Sequence, residues 1–154
     1  MQIKDIKVTD PFWTKYRDIV KTKLIPYQWS VINDDKDIAI EKENAGAYDA
    51  VEKSHAVENL KIAAGLAKGH FYGFWFQDSD VYKWLEAVAY ALRYAPDTEL
   101  EGIADSLIDI IAQAQEPDGY LDTYIQIEAP THKWTHVSLS HELYVMGHYI
   151  EAGV

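Results

Sequence analysis

The stretch DSDVYKWLEAVAYALRYAPDTELEGIADSLIDIIAQAQEPDGY, residues 78–120, decides the fold. In its first half Val81, Trp84, Leu85, Val88 and Leu92 recur on one helical face, and Asp78 or Ser79 stands where an N-cap is needed. Trp84, Tyr90 and Tyr94 fall on helical spacing and are read as core. A second helix opens with Thr98 and Glu101 in capping-box register, carries Ile103, Leu107, Ile110, Ile111 and Ala114, and stops at Glu116-Pro117-Asp118-Gly119. Only Ala95-Pro96-Asp97 separates the two, so residues 79–94 and 98–115 are predicted to be antiparallel neighbours.

Outward from this hairpin, residues 138–152 are predicted as one helix, with Leu139, Leu143, Met146 and Ile150 on one stripe and His141, Tyr144 and His148 on another. Residues 13–25 and 56–67 are weaker helical candidates, and 120–127 and 71–76 each suit a short extended stretch. The fold class is therefore all-α, built of antiparallel helical hairpins. Residues 33–53 form a long polar loop. The last helix has no closing signal at Val154, so the natural chain is expected to continue.

Bulk composition narrows the function. The 154 residues suffice for one core. A net charge of −11 disfavours nucleic acid and anionic membranes alike. No long apolar run and no leader pattern at the start point to a soluble, cytoplasmic protein. Cysteine is absent, which rules out disulfides, thiolate zinc sites and thiol nucleophiles within these residues.

If the three strongest helices alternate up, down and up, residues 69–78, 118–123 and 132–136 gather with His141 at one end. Long polar-aromatic loops crowded at one end of a helical frame are where small-molecule sites are built. Sixteen of the twenty aromatic residues are Tyr or Trp, whose rings stack on sugars while their polar tips bond hydroxyls. Tyr120, Tyr124 and Trp134 suit pocket and core equally.

Several motifs have plain alternatives. His141-Glu142 opens like a zincin signature, but i+4 is Val145, and about 10.5 Å of helical rise separates His141 from His148. His132 and His136 have i,i+4 spacing in a stretch ill suited to helix. Asp78 and Asp80 could form an acid–base pair, yet at a helix start capping is the stronger reading. His141, placed in a first helical turn, suits ligand contact and structural burial equally well.

Longer strings carry a resemblance: IPYQW (25–29), KSHAVENLKIAAG (53–65), FQDSDVYKWLEA (76–87), AQEPDGYLDT (114–123) and SHELYVMGHYIEA (140–152). They resemble the β-L-arabinofuranosidases of glycoside hydrolase family 127, in the same order. The resemblance implies that residues 1–154 are the amino-terminal part of one (α/α)6 catalytic domain. It implies retaining exo-hydrolysis by a cysteine nucleophile, with a glutamate acid/base and a zinc held by cysteines and a glutamate. None of these catalytic or metal residues is expected among residues 1–154, so this portion alone should be inactive. His141 matches the family histidine that contacts arabinofuranose; Gln77 and Asp78 lie on the same rim as further substrate-binding candidates. The implied partner is an oligosaccharide containing L-arabinofuranose, and exposed barrel faces leave an oligomer open. Competing readings are an (α/α)6 glycosidase of other sugar specificity and a stand-alone helical carbohydrate-binding or interaction module.

Overall fold

The computed structural model describes residues 6–38 and 53–154; the rest of the long polar loop, 39–52, lies outside the described residues. Among the described residues the regular structure is helical: α1 (Pro11–Ile19), α2 (Ile25–Ile32), α3 (Ala56–Ala63), α4 (Asp78–Tyr94), α5 (Thr98–Ala114), α6 (Thr123–Glu128), α7 (Val137–Ser140) and α8 (Glu142–Gly153). No helix among them is long and apolar enough to cross a membrane.

α1 starts where Asp10 accepts hydrogen bonds from the amides of Phe12 and Trp13, with Pro11 fitting the first turn. The helical run then continues beyond the expected end at residue 25. Proline lacks an amide hydrogen and crowds the preceding turn, but the turn before Pro26 is wound as a π-helix over Val20–Leu24. α3 stops at Ala63, earlier than expected. Gly65, at φ +73°, donates to the Ile62 carbonyl and Leu66 to that of Lys61, the paired bonds of a Schellman ending.

The 78–120 hairpin forms as its spacing predicts, with two differences in capping. Asp97, not Thr98, caps α5 by accepting from the Leu100 amide. Asp78 lies inside the first turn of α4 and does not cap it; its carboxylate is turned toward Thr123. Trp84 is fully buried, but Tyr90 and Tyr94 stand at the surface. Their expected core role fails: Tyr94 lies under the Arg17 guanidinium, 4.3 Å from its ring, and bonds the Arg17 carbonyl through its hydroxyl, which leaves both rings at the surface.

The extended stretch expected over 120–127 is instead helical from Thr123. Asp122 accepts from the Ile125 amide, and Gln126 ties both ends by accepting from the Asp122 amide and donating to the Ala114 carbonyl. The alternation of Leu121, Ile125 and Ile127 had a strand period without a strand partner. Residues 71–76 form a loop and turn.

α4 is the central rod, packed against α2, α3, α5 and α8. α2 runs antiparallel to it: Lys21, just before α2, donates to the Ala95 carbonyl past the end of α4, while Ile32 at the end of α2 lines a cavity with Asp80 and Lys83. Between them the Trp84 indole donates to the Ile25 carbonyl at 3.0 Å and the Trp29 and Trp84 rings lie 4.7 Å apart. α8 runs parallel to α4, since Phe76, just before α4, meets His141 and Tyr144 at the start of α8, while Tyr90 and Arg93 near the end of α4 line one cavity with Ile150 and Val154. The N-termini of α4 and α8 therefore share one end, as the up-down-up alternation requires. Val81, Val88, Leu60, Leu107 and Val145 fill the core between these rods.

Candidate functional site

At that shared end, residues 71–77 are strung between two Ser-His corners. In the first, His55 precedes α3 at φ +55°, and Asp34, itself at φ +64°, accepts from the His55 amide at 2.7 Å while its other oxygen lies 2.8 Å from His55 Nδ1. The His55 ring packs on Tyr72, 4.7 Å between centroids. Asn59 then clamps the loop by bonding both the amide and the carbonyl of Tyr72.

Gln77 joins this corner to the loop. Its Nε2 donates to the Ser54 carbonyl at 2.9 Å and to Ser54 Oγ at 2.7 Å, while its Oε1 accepts from the Phe74 amide. The close turn needs Gly73, at φ +97°, because a Cβ there would meet Gln77 Oε1 at 2.3 Å. Asp78 is closed off too: one oxygen accepts from the Thr123 amide at 2.7 Å and the other from Thr123 Oγ1 at 2.6 Å. Asp80 pairs loosely with Lys83 at 3.7 Å, so the two aspartates serve different partners.

The second corner breaks the helix expected over 138–152. His141 takes φ +60° between α7 and α8, a left-handed position that a residue with a Cβ adopts only when its surroundings hold it. Glu142 is the holder. It is fully buried and accepts from Tyr120 Oη at 2.6 Å, Ser140 Oγ at 2.6 Å and the Trp134 amide at 2.9 Å. Burial alone would push its carboxyl up, but these three donors outweigh burial and hold it below the ordinary glutamate range. Tyr120 is pushed up in turn, by burial and by donating to Glu142.

Behind this corner lies a more strained polar group. Burial raises Asp78 to about 6 despite its bonds from Thr123, and burial together with the nearby Asp78 raises Asp122 to about 7. Among the described residues Asp122 Oδ2 and the buried Tyr82 hydroxyl have no hydrogen-bond partner.

Of the three sequence-derived candidates, His141 alone is exposed; Gln77 and Asp78 are buried and fully bonded. The His141 ring lies 5.1 Å from Phe76, 5.8 Å from Trp75 and 6.2 Å from Tyr144, and Trp75 Nε1 donates to its Nδ1 at 3.0 Å. Lys83 donates to Tyr144 Oη at 2.6 Å, and Tyr144 meets His148 edge-on. Tyr120 is core, Trp134 stands exposed with its ring edge-on to Tyr120, and Tyr124 is half-buried against Phe71. His132 and His136 meet only ring to ring, 5.6 Å apart. Sequence reasoning missed Trp75, Phe76 and Glu142. The repeated Ser-His at 54–55 and 140–141 was the signal that could have marked both corners.

This rim can hold a sugar between aromatic rings and one exposed imidazole. It offers no free carboxylate pair for hydrolysis among the described residues.

Comparison with known proteins gives consistent likenesses. The sequence profile of the β-L-arabinofuranosidase GH127 catalytic domain matches residues 5–154. A non-reducing end β-L-arabinofuranosidase of Bifidobacterium longum subsp. longum is 51% identical over 97% of this chain and 23% of its own length. A crystal structure of a GH127 β-L-arabinofuranosidase from Geobacillus stearothermophilus superposes with a TM-score of 0.82 at 49% identity, covering 95% of this chain and 21% of that one. A second solved GH127 β-arabinofuranosidase gives 0.75 at 33%, covering 97% and 22%. The chain thus spans about a quarter or less of each relative.

Proposed function

This chain belongs to glycoside hydrolase family 127, and from that premise we infer that it forms one wall of the sugar pocket in a retaining exo-glycosidase that removes terminal β-L-arabinofuranose from oligosaccharides. The observation that carries the reading is His141, exposed on a strained backbone position among Phe76, Trp75 and Tyr144. Strain of this kind persists where a side chain must be presented at a fixed angle. Gln77 and Asp78 serve the same pocket by building its rim, since their polar atoms are already bonded within the chain.

The cysteine nucleophile, the glutamate acid/base and the cysteine-held zinc that the resemblance implies are assigned to other parts of a catalytic domain as long as the relatives'. These residues do not fit that zinc, because no cysteine occurs among the 154 and the buried Glu142 is fully bonded. Leu139 on α7 and Leu143 and Ile150 on α8 leave apolar side chains open; further helices of the same (α/α)6 barrel suit them best, with a second copy as the alternative. A cytoplasmic site of action agrees with thiolate chemistry, which a reducing compartment protects.

Kinetics on the complete catalytic domain test the reading. His141→Ala is expected to lower kcat/KM for an aryl β-L-arabinofuranoside at least tenfold with helicity unchanged, the scale of a lost hydrogen bond plus ring contact. An unchanged value removes His141 from the site, and faster turnover of another aryl glycoside reassigns the sugar.

A further inference from the structure

We propose that Trp75 is a positioning residue that fixes the tautomer of His141, so that Nδ1 accepts from the indole and Nε2 carries the proton offered to a furanose oxygen. The proposal rests on the reading of His141 as a sugar ligand and adds the direction in which its hydrogen bond runs.

Two neighbours compete for one nitrogen. Trp75 Nε1–H lies 3.0 Å from His141 Nδ1, and the Leu139 carbonyl oxygen lies 3.1 Å from the same atom. The indole only donates, so it needs a lone pair on Nδ1; the carbonyl only accepts, so it needs a proton there. The neutral ring cannot satisfy both.

Burial decides between them. Trp75 is half-buried, and an Nδ1–H would force two hydrogens against each other in the seat where the indole already packs on Phe76. The Leu139 and His141 residues are exposed, and a carbonyl with two lone pairs at that surface takes water as a donor. Phe76 covers one side of the imidazole and Tyr144 meets it edge-on, which restricts rotation of the ring. Trp75 and His141 are 66 residues apart, so the bond also fixes the loop at 71–77 to the α7–α8 break. An imidazole held this way enters the pocket as a hydrogen-bond donor and is unsuited to act through Nε2 as a base.

Neutron diffraction from the deuterium-exchanged complete catalytic domain, at a pH where imidazole is uncharged, reads the tautomer directly. Deuterium on Nε2 alone is expected; deuterium on Nδ1 facing Leu139 overturns the assignment. Trp75→Phe keeps a ring beside Phe76 and removes the donor. It should raise KM for the aryl arabinofuranoside about five- to tenfold while changing kcat less than about twofold, the worth of one hydrogen bond. Combined with His141→Ala it should add nothing, because it acts through the ring; additive losses overturn the positioning role. Parental kinetics in His141→Ala would overturn the sugar half of the proposal even with deuterium where it is expected.

Discussion

The corners at Ser54-His55 and Ser140-His141 have the same backbone shape and opposite uses. Each places a histidine at positive φ just before a helix. At the first, the carboxylate of Asp34 takes both the amide and the ring of His55, Tyr72 covers the imidazole, and the residue is tied down. At the second, the carboxylate belongs to the next residue, Glu142, and bonds everything around the corner except the histidine. The imidazole of His141 is left with an indole donor, a carbonyl and open surface. One corner geometry can thus anchor a loop or present a ligand, depending on where the nearest carboxylate points.

The largest effect should come from removing the holder. Glu142→Ala leaves the Tyr120 and Ser140 hydroxyls and the Trp134 amide without their acceptor, and should cost on the order of 3–5 kcal/mol in denaturant unfolding. A loss below about 1 kcal/mol would mean that the second corner holds itself.

A smaller effect separates the carboxylates behind that corner by the sign of their pH dependence. Asp122, raised from 3.8 to about 7 when folded, contributes stability that is complete below about pH 4 and is lost as pH rises through 7. Glu142, held below 4.5, contributes stability present above that value and lost on acidification. Asp122→Asn keeps a capping side chain for Ile125 and should flatten the decline in melting temperature between about pH 4 and pH 7. An unaltered decline assigns it to other groups.

The smallest and sharpest contrast is glycine at each corner. His141→Gly relieves the left-handed strain but gives up the Trp75 bond and the Phe76 contact at an exposed ring, so the two terms offset and stability should change by less than about 0.5 kcal/mol. His55→Gly relieves the same strain but also loses the Asp34 pair and the Tyr72 contact, and should lower stability by about 1 kcal/mol. Equal effects at both positions would erase the distinction between anchor and presented ligand.

The 78–120 hairpin was legible because its period, its three-residue turn and its Pro-Asp-Gly stop all agree. α6 was not, because a six-residue helix is too short for its period to separate from alternation, and its stability comes from Asp122 and Gln126. The break at 141 was hidden since the left-handed residue is histidine, not glycine or asparagine. His141 could be picked out as one rim candidate, but its partner Trp75 could not, since only tertiary packing joins positions so far apart in sequence. Glu142 was passed over as half of a failed zinc motif, although a lone acid beside the ring was the residue that shaped the corner.

The π-wound turn over Val20–Leu24 sets the angular phase between α1 and α2. One extra residue in a turn rotates everything downstream by about 100° about the axis. With that offset Ile25, Trp29 and Ile32 point at α4, while Phe12, Trp13 and Tyr16 point elsewhere. Losing a single codon within those five would swing the Trp29 stack off Trp84 and also return a plain α-helical turn to Pro26, which cannot tolerate one. At this place the length of the segment matters more than its side chains.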